Sequence, residues 1–103
     1  MEKTICHIID YARAIANPLA IHVFGSMAMG CRNEYSDLDM LIVTEEAIPA
    51  GEVRDLVSAY AAQFCLATDV LVYSSGQVYR AMQQPNSFLA SILKTSKIVY
   101  EKA

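Results

Sequence analysis

Long apolar runs are missing from this chain: no stretch approaches 18 residues, and Met1-Glu2-Lys3-Thr4 passes directly into an amphipathic pattern rather than a signal-peptide core. A protein neither exported nor membrane-spanning is expected. Cysteine is scarce as well. Cys6, Cys31 and Cys65 are odd in number, far apart and without a Cys-x-x-Cys spacing, which argues against a disulfide framework or a zinc site and points to the cytoplasm. Positive charge is also short. With a net charge of −3 and a pI near 5.2, the chain has no broad basic surface of the kind that drives sequence-independent nucleic-acid binding. Lys94, Lys97 and Lys102 gather near the C-terminus, where Lys94 and Lys97 are expected at a helix end, a place the helix dipole favours for cations. Repeats, low-complexity tracts and linkers are absent, so the 103 residues read as one domain, 1–103.

Apolar residues, by contrast, are plentiful. They make up 54% of the chain, with a mean hydropathy of +0.28, rich for so small a domain. Some of that surface is expected to meet another chain in a homo- or hetero-oligomer.

Ile5, Ile8, Ile9, Ala12, Ile15 and Ala16 carry the spacing of one helix face, with Thr4 as the expected cap and Asn17-Pro18 as the stop. Residues 19–24 are rich in strand formers and read as the first strand. His22, on an apolar strand, is expected to be a hydrogen-bonded structural residue rather than a ligand. A second strand spans about 37–44, apolar on both faces beyond its first residues, as for a strand covered on both sides. Val53, Leu56, Val57, Tyr60, Ala61 and Phe64 then give a helix ending near Gln63 or Phe64, followed by a third strand at 68–73. Ser74, Ser75 and Gly76 are expected to cap a short helix to about Met82. Pro85 is assigned to the first turn of a last helix carrying Phe88, Leu89, Ile92 and Leu93, and 97–101 returns to extended character.

The chemistry concentrates between Gly25 and Val43. The first strand runs into Gly25-Ser26, which favours a tight turn and a short helix over 26–31 whose free backbone N–H groups can face a phosphate. After a loop over 32–36, Asp37 and Asp39 open the second strand. Period-two alternation puts their carboxylates on one face roughly 6 to 7 Å apart, suited to sharing Mg²⁺. A plain turn with a helix cap is the alternative for Ser26. Asp69 stands near the start of the third strand, and a solvated strand start is its alternative. Asp10, Asp55, Glu45 and Glu46 read as surface charges.

Gly25-Ser26, ten intervening residues ending in Ser36, then Asp37-x-Asp39 between two strands resembles the signature of the DNA polymerase β-like nucleotidyltransferase superfamily, in particular its minimal single-domain members. The resemblance implies an α/β (α+β) fold with a small mixed sheet of three to four strands flanked by helices. It implies Asp37, Asp39 and Asp69 as catalytic and metal-binding carboxylates for two Mg²⁺ ions, Gly25 and Ser26 at the phosphates, and ATP as substrate. Many relatives read Gly-Ser-x-Ala-Arg-Gly. Here Met29 replaces that arginine, and Arg32 is either its substitute at the nucleotide or a solvated loop charge. Such minimal domains often pair, as antitoxins, with a helical HEPN-type toxin, and the implied reaction is transfer of AMP from ATP to a tyrosine hydroxyl of the toxin. The alternatives are an antitoxin acting by contact alone and a stand-alone adenylyltransferase of a small molecule.

Overall fold

The computed structural model describes residues 3–25 and 37–102. Eight elements follow in the order α1 (Lys3–Ala16), β1 (Ala20–Phe24), β2 (Leu38–Thr44), α2 (Ala50–Ala62), β3 (Thr68–Ser74), α3 (Ser75–Met82), α4 (Phe88–Thr95) and β4 (Lys97–Glu101). The sheet has the order β3-β2-β1-β4. β1 is antiparallel to β2 and to β4, whereas β2 and β3 are parallel and joined through α2. This is the mixed α+β architecture expected.

β2 is central because both of its faces are apolar. Leu38, Met40 and Ile42 turn toward α1 and α2, where Ile5, Ile8, Ile9, Ala12, Val53, Val57 and Ala61 complete one core. Leu41 and Val43 turn the other way, onto Leu89 and Ile92 of α4 and Val78 and Ala81 of α3. Helices therefore cover the sheet on both sides. The alternation also decides where the site can lie. Since Leu38 and Met40 are fully buried on the α1/α2 side, Asp39 must face the α3/α4 side.

Several boundaries differ from the sequence reading. Thr4 lies inside the first turn of α1 and does not cap it. The other end is closed as anticipated: Asn17, at φ 44°, donates its backbone N–H to the Arg13 carbonyl at 3.1 Å, a left-handed cap directly before Pro18. α2 begins at Ala50, after Pro49, rather than at Val53, because the exposed residues Ala50, Gly51 and Glu52 extend it without adding to the apolar stripe. Its far end is a Schellman turn: Leu66 N–H reaches the Ala61 carbonyl, Cys65 N–H reaches that of Ala62, and Cys65 sits at φ 57°. Ser74 caps α3 through a reciprocal box with Gln77. Pro85 precedes α4, whose cap is Ser87, accepting from Ala90 N–H at 3.1 Å. Lys94 does stand in the last turn of α4, but Lys97 opens β4.

β4 carries an irregularity. Ile21 faces Tyr100 while His22 faces Ile98, so Val99 is an extra residue in the edge strand and bulges it.

Candidate active site

Phe24, Asp39 and Asp69 lie in one row across three strands: Phe24 is the antiparallel partner of Asp39, and Asp39 the parallel partner of Asp69. Partners in register share a face, so the two carboxylates point to the same side, with Asp37 just ahead of β2. A hydrogen bond of 2.9 Å from Leu38 N–H to the Ala67 carbonyl fastens the start of β2 to the approach to β3 and fixes this alignment. Asp37 and Asp69 are exposed and Asp39 is half-buried.

Burial pushes the Asp39 carboxyl above its ordinary range, and the nearby charges of Asp69 and then Asp37 push it further the same way. Two acidic groups thus act on a third, and among the described residues neither Asp39 nor Asp69 forms an ion pair. A proton or a cation would relieve that repulsion.

Gly25 closes the site on the β1 side. At φ 73° it turns the chain sharply at the end of β1, and a Cβ built there would collide with Asp39 Oδ2 and come within 3.2 Å of its Cγ. Only glycine leaves the carboxylate its place. The sequence had suggested Gly25 for its approach to phosphate, and its steric role toward Asp39 went unforeseen because it depends on the β1–β2 register. Ser26 and Arg32, proposed for the phosphates, and the helix expected over 26–31 lie outside the described residues, as does Met29.

Two residues along the same face, His22 Nδ1 meets Ser96 Oγ at 3.1 Å, tying β1 to the segment between α4 and β4. Burial lowers the His22 pKa while Glu101 works against that shift. The imidazole is a structural tie, as expected.

The donor set suits a hard divalent cation, since it offers only carboxylate oxygens, as Mg²⁺ prefers. Among the described residues no three His, Cys, Asp or Glu side chains converge closely enough to enclose an ion on their own. Substrate phosphates and waters would have to complete the coordination. The raised Asp39 pKa and the space kept open at Gly25 fit the same group.

A family model described as polymerase beta, nucleotidyltransferase, matches residues 7–103. The chain belongs to that nucleotidyltransferase family. Solved structures agree at the level of fold. This nucleotidyltransferase-family chain resembles a Sulfolobus solfataricus protein assigned as a nucleotidyltransferase, with a TM-score of 0.55 and 19% identity over 97% of this chain and 79% of that one. It also resembles a chain of a toxin–antitoxin complex holding AMP-PNP, with a TM-score of 0.61 and 16% identity over 93% and 73%. A third similar structure is of a tri-AMPylated Shewanella oneidensis HEPN toxin in complex with an MNT antitoxin, with a TM-score of 0.55 and 15% identity over 95% and 67%. Comparison with curated proteins by sequence gives no match. Among the described residues no helix is long and apolar enough to cross a membrane.

Proposed function

We propose that this chain is a metal-dependent adenylyltransferase that moves AMP from ATP onto a hydroxyl, probed first as a tyrosine hydroxyl, of a helical HEPN-type toxin, and so acts as its antitoxin. The observation that carries the reading is the row formed by Asp39 and Asp69 beside Asp37, with Gly25 holding space at Asp39. Family membership and the likeness to toxin–antitoxin complexes, one with AMP-PNP and one with an AMPylated toxin, support the substrate and the partner.

Asp37, Asp39 and Asp69 would hold the ions. Bound Mg²⁺ would supply neutralisation of the triphosphate charge and alignment of the reacting oxygens. Gly25 and Ser26 are assigned to the phosphates, with Arg32 as the nearby cation. Asp69, the more exposed partner of the pair, is assigned to accept the proton of the acceptor hydroxyl. The hydroxyl oxygen bonds to the α-phosphorus, the bond from that phosphorus to the bridging oxygen breaks, and pyrophosphate leaves.

The reading is tested with Asp37→Asn/Asp39→Asn co-expressed with a HEPN-type toxin. The expected result is retained binding and loss of the adenylyl mass on the toxin, with loss of protection. A double variant that protects as well as the wild type would replace this reading with antitoxin action by contact alone, which Met29 in place of the family arginine favours. Adenylylation of a small molecule but not of the toxin would support the stand-alone enzyme instead.

A further inference from the structure

The carboxylate row provides for the phosphate end of a nucleotide, and none of the residues described above provides for its base. A groove of about 270 Å³ lies between the end of α3 and one side of α4, lined by Met82, Pro85, Ala90, Leu93 and Lys94. Resting on the transferase reading, we propose that this groove receives the nucleobase of the bound nucleotide and so sets its preference for ATP over a bare polyphosphate.

Position comes first. α3 and α4 pack on Leu41 and Val43, the residues of β2 that alternate in phase with Asp39, so groove and carboxylates occupy the same side of the sheet. The last turn of α4, which bears Lys94, leads to Ser96 on His22 and to Lys97 opposite Val23. Val23 adjoins Phe24, the partner of Asp39, so this turn lies toward the carboxylate end of the sheet.

Size and lining come next. The volume falls just below the roughly 300–1,000 Å³ of pockets that hold whole small molecules, and suits a planar ring system with the rest of the ligand lying outside. Its walls are apolar. Met82 brings a thioether, which makes favourable contacts with aromatic rings, and Lys94 brings a cation, which is attracted to the face of a π-system. Both residues are exposed and can adjust to a ligand.

Charge supports the same occupant. In a chain of net charge −3, α3 and α4 carry no Asp or Glu, while Arg80 and Lys94 stand on them. An anionic ligand held at the carboxylate row through metal ions is complemented by that positive charge, while Glu101, paired with Ala20, stands at the far end of this face from Asp39.

The test compares calorimetric affinities for ATP and for inorganic tripolyphosphate, both with Mg²⁺, in wild type, Met82→Ser and Lys94→Gln, each variant first checked for an unchanged circular-dichroism melting curve. The wild type is expected to bind ATP more tightly than tripolyphosphate. Met82→Ser should lower ATP affinity about three- to tenfold while leaving tripolyphosphate unchanged, and Lys94→Gln should lower ATP affinity about threefold or more. Equal wild-type affinity for the two ligands, or variants that leave ATP binding untouched, would overturn the groove while the transferase reading stands. Weaker binding to the toxin partner with unchanged ATP affinity would assign the groove to that partner and overturn the proposal. Failure of the wild type to bind either ligand would overturn both readings.

Discussion

Gly25 and Asp39 form a steric unit: the backbone turn and the carboxylate are compatible only because the turn carries no side chain. Gly25→Ala imposes a left-handed conformation on an L-residue, costing about 1–2 kcal/mol, and drives a methyl group into Asp39 Oδ2. A fall in Tm of about 4–8 °C per kcal/mol is expected for a domain of this size, together with loss of Mg²⁺-dependent ATP binding. Unchanged nucleotide binding in a folded Gly25→Ala protein would show that the Asp39 position is not critical. His22 makes a second prediction at this scale. Burial lowers its pKa below the ordinary 6.5, so the unfolded chain binds more protons than the native one just below that value. The stability tied to neutral His22 is complete above about pH 6.5 and is lost as pH falls toward the native pKa. Glu101 moderates the loss. Denaturant titrations at stepped pH should show this acid-side decline in the wild type and a weaker one in His22→Asn.

At the scale of elements, the turn after α2 holds a side chain where glycine is the usual choice. Cys65 adopts φ 57° at the left-handed position of the Schellman turn, and its side chain is exposed, so little packing opposes a change. Cys65→Gly is expected to raise stability by about 1 kcal/mol, read as a higher Tm, and a fall would mean that the thiol contributes packing. The same turn illustrates what could be read in advance. The apolar spacing of α1 and α2, the two-sided burial of β2 and the capping serine before α3 were legible because each is a local pattern. Thr4 and Pro85 misled because a residue suited to a helix start can also stand within the first turn or three residues ahead of the helix. Cys65 gave no signal, since nothing in its composition marks a left-handed residue. Asp69 was placed beside Asp39 by family resemblance; the local pattern of either strand says only that each begins with an acid, and the pairing depends on the α2 crossover.

Taken as a whole molecule, the chain leaves several large apolar side chains in water: Tyr79 and Met82 at 67%, Phe88 at 68% and Ile98 at 56% relative exposure. Tyr79 and Phe88 belong to α3 and α4, on the side of the sheet that Asp39 faces, where under the proposed function an acceptor on another chain would approach. Phe88→Glu should therefore leave Tm nearly unchanged, within about 0.5 kcal/mol of stability, while weakening association with the toxin in a pull-down with purified components. Equal capture by wild type and variant would place the contact elsewhere. The bulge at Val99 bears on a different hazard. A five-residue edge strand kinked near its middle and bracketed by Lys97 and Glu101 is a poor template for an incoming extended chain, which closes that flank to amyloid-like stacking. Among the described residues the opposite flank has no such guard: β3 runs regularly for seven residues with Asp69 as its one charge, so an extended chain adding to this sheet would do so beside the carboxylate row, and a ligand seated there would act as a cap against it.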